Sequence, residues 1–181
     1  MYSNNLDVLI TDYISSDINE DDNQFYSSKL AILDTIGCII EASNHENVLQ
    51  FASKNNLSLN FKNPFKNLTV NENYENISWY LTVLTRWFDY NDTFLAKEWA
   101  HPSDNFGSIY SYFHKNKNFK FKDFTNALTK AYEIQGSLCL GTSLNKLGYD
   151  HVFFVKLASG SVFSNLVNSG DVNAIRRTVN N

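Results

Sequence analysis

Between Arg86 and Asn105 the chain reads Arg-Trp-Phe-Asp-Tyr-Asn-Asp-Thr-Phe-Leu-Ala-Lys-Glu-Trp-Ala-His-Pro-Ser-Asp-Asn. This short stretch gathers carboxylates at Asp89, Asp92, Glu98 and Asp104, an imidazole at His101, a hydroxyl at Thr93, and cations at Arg86 and Lys97. An imidazole beside carboxylates is the material of general acid–base chemistry, the carboxylate orienting the ring and the ring moving the proton. Arg86 and Lys97 supply charge for an anionic substrate, and Thr93 supplies a donor. A second imidazole, His151, follows Gly148-Tyr149-Asp150 at the start of a later apolar run. There, free backbone N–H groups and the positive end of a helix dipole favour an anion. The oxygen and nitrogen donors around His101 are numerous enough for a divalent ion, but their spacing fits no recognised ligand pattern, and no metal is expected.

The flanking sequence predicts how such groups are held. Ile77, Tyr80, Leu81, Leu84 and Phe88 recur at helical spacing before the stretch, and Phe106, Ile109, Tyr110 and Phe113 do so after it, so a polar connection lies between two buried helices. Asp89 and Asp92 fall near the carboxyl end of the first helix, where the dipole disfavours negative charge. Asn91 is suited to the left-handed conformation that ends many helices, and Asp92 or Thr93 to bonding nearby backbone donors. Pro102 stops any helix through His101, and Asp104 is placed to cap the next one.

Elsewhere the same periodicity predicts helices. A short one covers Leu6, Leu9, Ile10, Tyr13 and Ile14. A longer one runs from about Gln24 to Ala42, with Tyr26, Leu30, Leu33, Gly37 and Ile40 on one face and Ile32, Ile36 and Ile39 widening it. So wide an apolar surface implies burial on most sides, and Gly37 within it implies close approach of a neighbouring helix. Asp34 on this helix either meets a buried cation or lies on its exposed edge. Val48, Leu49 and Ala52 suggest a short helix, and Leu57 to Phe61 alternates like a strand. His45, in the same region, reads as a surface histidine. A helix from about Asp123 to Leu140 carries Glu133 and Gln135 near its buried face, either for an internal hydrogen bond or aimed at the site, with Asp123 as its cap. Asp150 caps a last strong helix through Val152 and Val162, and the tail from Asn168 is a weak helix or a fraying end.

The 181 residues, 43% hydrophobic, suffice for one core and one domain spanning 1–181. A formal charge of -4 argues against nucleic acid as a partner. The Lys-rich run from Lys115 to Lys122, with Phe119 and Phe121 interleaved, reads as a solvated loop. Cys38 and Cys139 each sit in an apolar helical pattern with no ligand-spaced partner, as buried thiols of a reducing compartment do. No stretch is long and apolar enough for a membrane span, and the acidic start lacks signal-peptide blocks, so a cytoplasmic location is expected.

Three segments together resemble the MmgE/PrpD family, and specifically its 2-methylcitrate dehydratases. They are Leu33-Asp34-Thr35-Ile36-Gly37-Cys38, then Asp89-Tyr90-Asn91-Asp92-Thr93 with Glu98-Trp99-Ala100-His101-Pro102-Ser103-Asp104-Asn105, then Ala131 to Gly136 with Gly148-Tyr149-Asp150-His151-Val152. The likeness runs from about Ile14 to Ser159. It implies an all-α fold, an antiparallel helical array corresponding to part of the family's helical domain. It also implies a hydro-lyase eliminating water from a hydroxy-tricarboxylate without a cofactor, its pocket drawing on Asp89, Thr93, His101 and His151. The form of the His101 segment favours dehydratase over a cis-aconitate decarboxylase-like activity. The family's second half supplies a lysine, a tyrosine, a further histidine and a lid domain that have no counterpart here. The resemblance therefore also leaves a non-catalytic helical protein, or one subunit of a split enzyme, as an alternative. An exposed apolar face, wanting a homodimer partner or a complementing chain, is expected on that account.

Overall fold

The computed structural model describes residues 5–18, 22–54, 64–68, 73–116 and 118–181. The run from Leu57 to Phe61, read as a strand from its alternation, lies outside the described residues. What is described is all-α but for one small hairpin. In order come α1 (Leu6–Ser15), α2 (Asp22–Ser43), α3 (Glu46–Lys54), α4 (Pro64–Asn67) and α5 (Tyr74–Arg86). Then follow β1 (Phe94–Leu95), β2 (Trp99–Ala100), a 3-10 turn (Pro102–Asn105), α6 (Phe106–Lys115) and α7 (Phe121–Gly141). A second 3-10 turn (Asn145–Leu147), α8 (Val152–Val167) and α9 (Val172–Asn180) complete the chain.

The apolar periodicity explains the packing. Ile77, Tyr80, Leu81 and Leu84 of α5 are fully buried and face Phe106, Ile109 and Phe113 of α6, which are equally enclosed. The two helices can lie this close because position 107 is glycine. A Cβ there would meet the Ser78 carbonyl oxygen at 2.6 Å and Thr82 Oγ1 at 2.7 Å. Phe124 of α7 stands edge-on to Phe106, Tyr110 and Phe113, joining α7 to the same core. Beyond it α8 packs on α7, and α9 on α8 and α1. Ala174 and Ile175 are the residues of α9 buried there, so the tail is a docked helix. A second cluster of Ala100, Cys139, Phe154 and Leu157 seats the hairpin between α7 and α8.

Helix α2 departs from the sequence reading. Its Ile32, Thr35, Cys38, Ile39 and Ala42 are buried, whereas Tyr26, Leu30, Leu33 and Ile40 are exposed at 60%, 48%, 64% and 48%. Gly37 lies on that open side with nothing within 4 Å of where its Cβ would be, so among the described residues no helix approaches it. Both stripes are apolar, and α5 and α7 cover only one of them. Asp34 lies on the exposed side. Caps differ in detail too. Asp123 sits inside the first turn of α7, accepting from the Lys120 N–H at 3.1 Å, while Asp150 accepts from the Val152 N–H at 2.9 Å at the start of α8. Among the described residues no helix is long and apolar enough to cross a membrane.

Candidate active site

Helix α5 stops at Arg86, and the residue that takes the left-handed turn is Asp89, with φ 57°, rather than Asn91. Asp tolerates this conformation because its short side chain finds local donors. The donor here is Arg86 Nη2, 2.8 Å from Asp89 Oδ1. The same guanidinium gives Nη1 to Asn91 Oδ1 at 3.0 Å and holds Nε 3.6 Å from Asp104 Oδ1. Arg86 is thus occupied by its own loop, the fork of donors matching three oxygens at once. Asn91, freed from the turn, is buried and passes the network on, its Nδ2 donating to Ser103 Oγ at 2.7 Å. The Ser103 N–H donates in turn to Asp92 Oδ1 at 3.0 Å.

That lattice fixes His101. Its Nδ1 lies 2.7 Å from the Asp92 carbonyl oxygen. A carbonyl can only accept, so Nδ1 carries the hydrogen, and in the neutral ring Nε2 is left with its lone pair. Nε2 faces Asp89 Oδ1 at 3.9 Å, too far for a hydrogen bond and near enough for attraction once the ring is charged. Asp104 is enclosed, its side chain 11% exposed, and caps nothing; α6 is preceded by Asn105, and Oδ1 of Asp104 has no hydrogen-bond partner. Burial pushes the Asp104 carboxyl up to about 6 against the pull of Arg86 and His101, with the Asp92 and Asp89 charges adding to the rise.

The second histidine comes from the segment between α7 and α8. His151 precedes α8, its Nδ1 3.2 Å from Asp150 Oδ1, and its ring lies on the Trp99 indole with centroids 3.9 Å apart. His101 meets the same indole edge-on at 5.5 Å. The structure therefore brings His101, His151, Asp89, Asp92 and Arg86 to one place, with Trp99 between the imidazoles. Thr93 is exposed just before β1. Lys97 is turned to the end of α7, its Nζ 3.3 Å from the Gly141 carbonyl oxygen. Gln135 is wholly buried, its Oε1 accepting from Asn105 Nδ2, whose Oδ1 takes the Ser159 hydroxyl; this internal chain joins α7 and α8 to the turn after His101. Glu133 is exposed and meets the Tyr13 hydroxyl and Gln24.

Glu98 has the role sequence reasoning missed, because its partners lie 45 and 47 residues away. It is 2% exposed, and its carboxylate accepts from the Trp99 and Asn145 N–H groups, Asn145 Nδ2 and Ser143 Oγ. Burial acts to raise its pKa, but these hydrogen bonds outweigh it and hold the carboxyl down at about 2. An apolar groove of about 720 Å³ between α1 and α7 borders Phe94 and Pro102, and its lining offers little to hold an anion.

The described residues thus form a helical array with one imidazole and a carboxylate–guanidinium lattice on the loop between α5 and α6 and a second imidazole ahead of α8. The family model of the MmgE/PrpD N-terminal domain matches residues 9–179, and the chain belongs to the MmgE/PrpD family. It is 31% identical over 170 residues to the mitochondrial 2-methylcitrate dehydratase of Yarrowia lipolytica, covering 87% of this chain and 33% of that protein. It is 43% identical over 97 residues to the probable 2-methylcitrate dehydratase of Saccharomyces cerevisiae, covering 47% of this chain and 19% of that one. The 2-methylcitrate dehydratase of Escherichia coli K12 is 40% identical over 94 residues, covering 47% and 20%. The chain thus spans a third or less of the length of these relatives.

Proposed function

We propose that the chain forms the histidine-bearing part of a 2-methylcitrate dehydratase-like hydro-lyase acting on a hydroxy-tricarboxylate. The observation that carries this reading is the fixed tautomer of His101. With Nδ1–H held by the Asp92 carbonyl, Nε2 is presented to take a proton from carbon beside a substrate carboxylate, and Asp89 attracts the imidazolium that results. His151, against Trp99, is the group to protonate the departing hydroxyl, so that the C–H electron pair becomes the new π bond while the C–O pair leaves with the oxygen as water. Thr93 is a donor to substrate carboxylates, and so is Arg86 on releasing an oxygen of its own lattice. Lys97 and Asp92 complete the set, Asp92 by holding His101 and Lys97 on swinging away from Gly141.

The reading is tested by turnover of 2-methylcitrate by the purified chain, followed by absorbance of the unsaturated product, with His101→Ala as control. Activity lost in the control supports it. A folded chain without turnover, restored by adding a polypeptide equivalent to the relatives' remaining length, assigns the chain to a split enzyme. No turnover in either case assigns it to a non-catalytic helical protein. The exposed stripe of α2 supports association with a second copy or such a complementing chain. A cytoplasmic setting accords with the two unpaired buried thiols, Cys38 and Cys139. The mitochondrial designation of the Yarrowia relative makes cell fractionation the deciding measurement.

A further inference from the structure

The segment that delivers His151 has little to hold it. From Gly141 to Asp150 every residue is exposed except Ser143 and Leu144, which are half-buried, and Leu144 is its one contact with the second apolar cluster. Lys97 Nζ touches its first residue, 3.3 Å from the Gly141 carbonyl oxygen, and the side chain that reaches further along it is Glu98. We propose that Glu98 is a positioning residue, whose carboxylate clasps the Ser143–Asn145 segment to the hairpin and so sets His151 against Trp99 and opposite His101. This rests on the reading of His151 as a site residue, but its test does not depend on turnover.

The geometry is that of a saturated acceptor. An ionised carboxylate offers about four lone-pair positions and no donor. Oε1 takes the Trp99 N–H at 3.2 Å and Asn145 Nδ2 at 2.7 Å, and Oε2 takes the Asn145 N–H at 2.9 Å and Ser143 Oγ at 3.1 Å. Among the described residues it forms no ion pair, so the side chain is not part of the charge lattice around Arg86. Its own backbone is anchored independently, the Glu98 N–H donating to the Cys139 carbonyl at 3.1 Å. The carboxylate therefore projects from a fixed point and reaches across to the one polar stretch that precedes His151. Glutamine has the same shape but sets an NH₂ group against two of the four donors, which must then turn away. Its effect should pass to His151 and not to His101, since His101 is held by Asp92 on the other side of the hairpin.

The experiment is NMR of the imidazole C–H protons in the full chain at neutral pH. His151 lies on the Trp99 ring and its protons should be shifted upfield by the indole ring current, with Trp99→Ala giving the unshifted position. In Glu98→Gln most of that shift should be lost for His151, the His101 resonances should stay in place, and the melt should remain cooperative. Glu98→Asp should restore part of the shift. Should Glu98→Gln fail to fold, the double variant S143A/N145A removes two of the four donors, leaves the carboxylate in place, and should show the same selective loss. His151 protons that keep their upfield position in folded Glu98→Gln, or in S143A/N145A, overturn the proposal, as does an equal displacement of His101.

Discussion

Replacing Asp104 by Asn should make the protein more stable at neutral pH. Two features of the carboxyl pull in opposite directions. Arg86 Nε lies 3.6 Å away and favours the ion, while enclosure of the side chain to 11% exposure favours the acid. Enclosure prevails, because the contact is longer than a charge-assisted hydrogen bond and Oδ1 has no hydrogen-bond partner. The group accordingly titrates at about 6 instead of 3.8. A folded-state pKa above the unfolded one means that the native protein binds this proton more tightly. Stability is then highest below pH 4 as far as this group is concerned, falls as pH rises through about 6, and stays low above it. At about 1.4 kcal/mol per pH unit the ionised group costs the folded state about 3 kcal/mol at pH 7. Asparagine keeps the shape without the charge and should recover about 2 kcal/mol of this; the pull of Arg86 is already contained in the shifted pKa, and the remainder goes to burying an amide beside the guanidinium. Urea unfolding followed by circular dichroism, for both proteins from pH 4 to 8, measures it. The two stabilities should coincide near pH 4, diverge as pH rises toward about 6, and run parallel above it. A variant less stable than the parent at pH 7, or one with an undiminished slope between pH 4 and 6, would instead make Arg86–Asp104 a stabilising pair.

Glu98 should titrate with the opposite sign. Its folded-state carboxyl is held down at about 2 from 4.5, so the stability it contributes is complete above about pH 4.5 and is lost as pH falls toward 2; acid unfolding of Glu98→Gln should lack that limb. Gly107→Ala should destabilise by about 2 kcal/mol or more, because the new Cβ meets the Ser78 carbonyl at 2.6 Å on a backbone that cannot turn aside. Gly37→Ala should instead stabilise by about 1 kcal/mol, being helical and open; thermal melts of the two variants should move in opposite directions. Leu33→Glu, on the exposed stripe of α2, should abolish any concentration-dependent association that sedimentation detects in the parent, without lowering its melting temperature.

The helices were legible because their apolar residues recur every three or four positions, and this alone placed α1, α3, α5 and α8 close to their observed spans. The site loop was legible as a polar interruption between two such patterns. What periodicity could not supply was a choice between equals. Helix α2 carries two apolar stripes, and only the packing of α5 and α7 decides that Ile32 and Ile39 go inside while Leu30 and Leu33 do not. Asp89 and Asn91 both tolerate the left-handed turn, and the position of Arg86 gives it to Asp89. Asp104 has the residue type and offset of a cap, but the 3-10 turn from Pro102 to Asn105 directs it inward. Glu98 gave little local signal, since three of its four donors, on Ser143 and Asn145, are set by where α7 ends.

The indole between the two imidazoles also gives the site an optical reporter of its own. Trp99 is one of three tryptophans in the chain, and it is 42% exposed with two histidine rings against it. A protonated imidazole is a cation over a π-system and quenches indole emission, whereas a neutral ring does so weakly. The fluorescence of Trp99, isolated by replacing Trp79 and Trp87 with Phe, should therefore rise and fall with the charge state of its two neighbours. An anion settling beside them would be seen directly, as a change in brightness at constant pH, without label and without waiting for product.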